Sequence, residues 1–155
     1  MKKTIEVANV LLQNSSQEVL LLQRAPRLKR PLIWGLPGCM IDAGETALGA
    51  ATRELVEESG IKESDIIIQG IMRFLVQMPD ENVRITNVHA LLVEDDTMVT
   101  IDPDEHVAYR WTSAEDVYAS SDLLPCVPTM VARTLGVRNQ ITDLTIVPGM
   151  QVTTL

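Results

Sequence analysis

The sequence predicts an α/β fold of the α+β kind, a mixed sheet with helices packed on it. Strand-like runs rich in Val, Ile and Leu stand both early and late in the chain, one long helix candidate separates them, and two shorter helix candidates follow. Such interleaving suits a sheet flanked by helices better than a bundle or an all-β sandwich. With 155 residues, 46% of them hydrophobic and 22% charged, the chain has the size of one ordinary domain with a real core. Residues 1–155 are therefore expected to form a single domain.

Taken in order, "TIEVANVLL" and "EVLLLQ" read as two strands separated by the polar turn cluster "QNSSQ". The opening "MKKTIEVANVLL" places two lysines before an apolar run, as a signal peptide does. Glu6 and Asn9 interrupt that run in the alternation of a half-buried strand, so a strand and a cytoplasmic protein are expected. The long helix is expected from about Thr46 to Ser59, where Ala47, Leu48, Ala50, Ala51 and Leu55 are good helix formers. Gly60 followed by Ile61 has the pattern of a terminating glycine with its hydrophobic contact. At about 100° per residue, Leu48, Thr52 and Leu55 are expected to form its packing stripe. "DIIIQGIMRFLVQM", "VRITNVHALLVE" and "HVAYRWT" supply the later strands. A short helix is expected over Ser113 to Ser120, opened by the capping pair Ser113 and Asp116. A last one runs from about Val127 to Leu135, with Pro128 in its first turn and Gly136 after it.

Composition excludes several classes. The net charge is -8, and the basic residues cluster only in "QRAPRLKRP", which disfavours binding of long nucleic acid through its phosphates. No apolar stretch approaches the roughly 20 residues needed to span a bilayer, so no membrane partner is expected. Cys39 and Cys126 lie in no disulfide or zinc spacing and are expected as free thiols. There is no GxxxxGK phosphate loop and no GxSxG elbow. His89, in an apolar strand run, is expected in the core or a pocket wall, and His106 is expected to be exposed. A thiol mechanism would need one of these histidines beside Cys39 in space, which sequence does not show.

The chemistry-bearing stretch is "GLPGCMIDAGETALGAATRELVEESGI", Gly35 to Ile61. Glu54, Glu57 and Glu58 fall within an arc of about 100° on the expected helix. Like charges at these spacings cost about 0.2 to 0.5 kcal/mol each. Spacing alone leaves two roles open: a solvated acidic face, or a site for a hard cation such as Mg²⁺, held by carboxylates, waters and substrate phosphates.

The same stretch resembles the signature of the Nudix hydrolase family, MutT-like branch: Gly, five residues, Glu, seven residues, then Arg-Glu-apolar-x-Glu-Glu-x-Gly-apolar. Glu45, Arg53, Glu54, Leu55, Glu57, Glu58, Gly60 and Ile61 meet it, and Cys39 replaces the opening glycine while Gly38 precedes it. "VLLLQRAP", "IWGLPG" and "EHVAYRWTSAEDV" are similar to the family's flanking segments, up to about residue 120. The resemblance implies an α/β/α sandwich around a mixed sheet. It also implies hydrolysis of a diphosphate linkage in a nucleoside diphosphate joined to a group X, assisted by Mg²⁺ or Mn²⁺. Carried over by position, Glu57 and Glu58 would be metal ligands, Glu54 a ligand or base, and the Gly38 carbonyl a further ligand. Arg53 would complete the catalytic set by pairing with the supporting Glu45. Glu105, six residues before Trp111, stands where such proteins often place another metal-binding or base carboxylate. Arg24 is the best candidate for contacting substrate phosphates.

The family's subfamily markers past the box fall on Val76, Gln77, Met78 and Pro79. That stretch carries neither the tyrosine associated with dinucleoside polyphosphates nor a proline at the place usual for ADP-ribose enzymes. A nucleoside triphosphate or small nucleotide derivative is the expected substrate, and a homodimer is left open. The alternative is a Nudix-fold sensor that binds a nucleotide metabolite without cleaving it, for which the Cys39 departure is the support.

Overall fold

A computed structural model describes residues 1–136 and 149–155. The strands are β1 (Lys3–Gln13), β2 (Val19–Arg24), β3 (Trp34–Gly35), β4 (Gly38–Met40), β5 (Ile66–Gln77), β6 (Glu81–Leu92), β7 (His106–Thr112) and β8 (Gln151–Thr154). The helices are α1 (Ala47–Ser59), α2 (Ala114–Ala119) and α3 (Val127–Thr134). The strands make one mixed sheet in the order β3-β2-β1-β6-β5-β8, with β4 added to β1 and β7 to β2. Its centre is the parallel pair β1 and β6, in register from Lys3 opposite Glu81 to Gln13 opposite Leu91.

Strand alternation divides the core in two. Ala8, Val10, Leu12, Leu20 and Leu22 point to one face, where Ala50, Ala51 and Leu55 of α1 cover them. Leu11, Val19 and Leu21 point to the other, under Val117 of α2 and Val127, Met130 and Val131 of α3. A sheet apolar on both faces must be covered on both, and the result is a layered α/β/α arrangement.

The long helix forms where expected. Thr46 caps it by accepting the Gly49 N–H at 3.0 Å. Gly60 ends it at φ 71°, its N–H bonded to Val56 O at 2.9 Å, a conformation glycine adopts without a Cβ penalty. Ile61 beyond it is fully buried. The packing stripe differs from expectation. Leu48 is 37% exposed, while Ala50, Ala51, Glu54, Leu55, Glu58 and Ser59 face inward. The two alanines let the helix lie close to the sheet, and that rotation carries two glutamates under it. Ser113 caps α2 by accepting the Asp116 N–H at 3.2 Å, and Pro128 occupies the first turn of α3. Strands β3, β4 and β8 were not expected; each has between two and four residues, too few to show a period.

Candidate functional site

The site begins at the short strand β4. Gly38 stands opposite Asn9, and Cys39 opposite Ala8, in antiparallel pairing with β1. A Cβ on Gly38 would lie 2.3 Å from Ala8 O and 2.3 Å from Asn9 Oδ1, at φ +153°, so a side chain is excluded there. The close approach brings the Gly38 N–H to 2.9 Å from Glu58 Oε2. Gly38 thus enters the site through its amide, an attachment that box spacing did not suggest. Among the described residues the non-glycine positive φ angles fall at Gln17, Arg30 and Leu32. Cys39 therefore replaces the box glycine without left-handed strain.

The three helix glutamates occupy different environments. Glu54 and Glu58 are buried, whereas the Glu57 side chain is 56% exposed. Arg53 ties Glu45, Glu54 and Glu57 together. Its Nε donates to Glu45 Oε1 at 2.8 Å and its Nη2 to Glu45 Oε2 at 3.0 Å, a two-pronged pairing. Its Nη1 meets Glu54 Oε1 and reaches Glu57 Oε2 at 3.2 Å. One guanidinium thereby offsets the repulsion among carboxylates that the helix accepts.

Glu58 faces the other way, into the protein. Burial, reinforced by the charges of Glu54 and Glu105, pushes its carboxyl up to about 8, against the lowering effects of the Gly38 N–H and Arg24. Glu105 is raised as well, first by partial burial and then by Glu54, Asp102 and Glu57. It arrives from the turn before β7. Asp102 O accepts from the Glu105 N–H at 3.1 Å and the His106 N–H at 2.8 Å, and the Ala25 N–H donates to Glu105 O at 2.8 Å. The β2–β7 ladder shifts register between Gln23 and Arg24, leaving Arg24 opposite His106. Such a bulge re-aims a strand end. Arg24 also donates its Nε–H to Lys29 O at 2.9 Å.

The expectation for His106 was wrong: the residue is 7% exposed. An i,i+1 neighbour in sequence gives no sign of this, because its burial comes from the pairing of β7 with β2. Glu58, Glu105 and His106 each place one donor atom within 4.8 Å of the others. Glu54 and Glu57 lie outside that grouping, at Arg53. Two carboxylates beside an imidazole are chemistry that a divalent cation satisfies, and the His106 Nδ1 is buried with no hydrogen-bond partner among the described residues.

A cleft of ≈ 250 Å³ adjoins this cluster, lined by Arg24, Gly38, Cys39, Glu58 and His106 together with the apolar Val83, Ile85, Val127 and Met130. The thiols are free. Burial, together with Glu54, pushes the Cys39 thiol up to about 12, which keeps it protonated and a poor nucleophile. His89 sits apart, its Nε2 2.7 Å from Gln13 Oε1, in the wall of a second cavity of ≈ 690 Å³. Among the described residues, no helix is long and apolar enough to cross a membrane.

Comparison with known proteins agrees with this architecture. The mouse (Mus musculus) protein bis(5'-nucleosyl)-tetraphosphatase, asymmetrical, is 33% identical over 106 residues, covering 68% of this chain and 70% of its own. A MutT protein from Methanosarcina mazei Go1 shares the fold with a TM-score of 0.75 at 23% identity, over 90% of this chain and 98% of that one. A C. elegans Ap4A hydrolase in a binary complex does so with a TM-score of 0.71 at 23% identity, over 85% and 96%. The family model described as the NUDIX domain matches residues 3–131. That span carries β1 through β7 and every residue of the acidic cluster, and the chain therefore belongs to the Nudix hydrolase family.

Proposed function

We propose that this chain, acting as one domain in the cytoplasm, hydrolyses a diphosphate linkage in a nucleoside diphosphate-X substrate with the help of Mg²⁺ or Mn²⁺. The observation that carries this is the convergence of buried Glu58 with Glu105, beside a cleft that Glu58 and Arg24 share with apolar side chains. The charged lining suits phosphate chemistry and the apolar lining a nucleoside. A bound divalent cation would supply charge to offset the diphosphate and lower the pKa of an attacking water.

The chain's own residues supply the rest. Glu58 and Glu105, joined by Glu54, Glu57 and the Gly38 carbonyl, would hold the cation. Glu105 or Glu54 would take the proton from the attacking water. Arg53 is a positioning residue that orients Glu45, Glu54 and Glu57 and need not touch substrate. Arg24, in the cleft lining, would meet phosphate oxygens with its charge. A nucleoside triphosphate or small nucleotide derivative is the leading substrate. A dinucleoside polyphosphate is the second reading, favoured by the mouse relative's name.

The test is a panel of nucleoside triphosphates and dinucleoside polyphosphates with Mg²⁺ or Mn²⁺, read as phosphate and pyrophosphate release. Turnover should vanish in EDTA and nearly vanish in a folded Glu57→Gln protein. Full activity in EDTA would overturn metal dependence. Tight binding without release of any product would mark a nucleotide sensor.

A further inference from the structure

We propose that His106 supplies an imidazole nitrogen to the cation held by Glu58 and Glu105, so that this is a mixed nitrogen and oxygen site favouring Mn²⁺ over Mg²⁺. This rests on the metal-dependent reading above and adds a ligand that the box does not contain.

The placement of the ring carries the inference. His106 opens β7 opposite Arg24, and its backbone is fixed by the N–H bond to Asp102 O at 2.8 Å. The residue is only 7% exposed, yet its Nδ1 is buried with no hydrogen-bond partner among the described residues. A buried polar nitrogen left unmatched is unfavourable, so the position calls for a partner. A nitrogen of the ring lies within 4.8 Å of carboxylate oxygens of both Glu58 and Glu105, and no direct hydrogen bond from the ring to either carboxylate is formed. Donors on one ion, with bonds of about 2.1 Å, stand at most about 4.2 Å apart. Separations bounded by 4.8 Å are within a small side-chain adjustment of a shared ion. His106 and Glu58 also line the same cleft, through which an ion could enter.

Donor type then sets the preference. Mg²⁺ is met mainly by carboxylates and water. Imidazole suits first-row transition ions, and affinity for a site with a nitrogen donor rises along that series. Mn²⁺ keeps the oxygen preference that two carboxylates satisfy while accepting the nitrogen.

The experiment uses the untagged full chain, which has two histidines, and Mn²⁺ as the probe. Electron spin-echo spectroscopy of the bound ion should show nitrogen modulation of the imidazole kind. The signal should persist in His89→Gln, whose ring lies in another cavity, and disappear in His106→Gln. Calorimetry should show Mn²⁺ affinity falling by about tenfold or more in His106→Gln, with Mg²⁺ affinity changed by less. Stoichiometric Mn²⁺ binding without nitrogen modulation in the wild-type chain would overturn the His106 assignment and leave the metal-dependent hydrolase reading standing. No binding of either ion would overturn both. Because the wild-type spectrum is decisive, a His106→Gln protein that fails to fold does not rescue the proposal.

Discussion

Gly38→Ala tests the close approach of β4 to β1 beside the cleft. The new methyl would stand 2.3 Å from Ala8 O, 2.3 Å from Asn9 Oδ1 and 2.8 Å from Asn9 Cα. The asparagine side chain can turn away, but the other two atoms belong to β1 in the centre of the sheet. Strand β4 must therefore retreat by about 1 Å to restore ordinary van der Waals separation. Overpacking of this kind costs about 1–3 kcal/mol. The retreat also stretches the 2.9 Å bond from Gly38 N to Glu58 Oε2 beyond hydrogen-bonding range, leaving a buried carboxyl short of a partner at about 1–3 kcal/mol. Taking about 3 kcal/mol in total, and about 2–4 °C per kcal/mol for a chain of this size, Tm should fall by about 6–12 °C. Thermal unfolding of the metal-free protein, followed by circular dichroism, measures it. A Tm within about 1 °C of wild type would show that the backbone absorbs a Cβ at this position and would refute the close-approach account.

Three further outcomes are expected. Cys39→Gly should keep kcat/KM within about tenfold, a barrier change of about 1.4 kcal/mol, because a thiol held protonated takes no part in the proposed chemistry; complete loss in a folded protein would revive a cysteine mechanism. Glu105→Gln and Glu54→Gln, compared across Mg²⁺ concentrations, should separate base from ligand. Loss of the base costs about 10² to 10⁴ in rate at every concentration, loss of a ligand is partly restored by added Mg²⁺, and a Glu105→Gln curve identical to wild type would make Glu105 a surface acid. The folded pKa of Glu58 is raised from 4.5 to about 8, so its contribution to metal-free stability is full below the unfolded value and is lost as pH rises through the folded one. The Tm difference between wild type and Glu58→Gln should accordingly move against wild type from roughly pH 5 to 9; a difference that is flat with pH would show that Glu58 ionises freely.

The parts of the site that sequence revealed are those joined by short-range geometry. Glu45, Arg53, Glu54 and Glu57 sit on or beside one helix, and helical spacing is enough to bring the guanidinium among them. Gly60 and Thr46 were readable as helix ends for the same reason. What escaped depends on pairing between distant segments. His106 is buried because β7 lies on β2, and nothing in "DPDEHV" indicates it. The apolar lining of the cleft draws Val83 and Ile85 from β6 and Val127 and Met130 from α3, residues that line one cleft only after folding. Helical periodicity likewise put Leu48 in the packing stripe, but two alanines and a glutamate satisfied by a backbone amide displaced it. Of the last thirty residues, for which sequence suggested no counterpart, α3 and β8 pack on the second core cluster and the β5 edge, and 137–148 lie outside the described residues.

The parallel pairing of β1 with β6 has a consequence for how the chain acquires its activity. Every partner across that ladder lies 78 positions further along, as Glu6 and Arg84 do, so its closure entropy is met before its contacts reward it. The hairpin of β5 and β6 can form locally, whereas the central ladder waits for it. Strand β7, which carries His106 and is preceded by Glu105, comes later still and docks on β2. During synthesis the complete signature helix thus emerges well before the cavity it serves. A ribosome-bound chain ending before β7 would hold every box glutamate and still lack a cleft, so competence for the reaction arrives with the last third of the sequence.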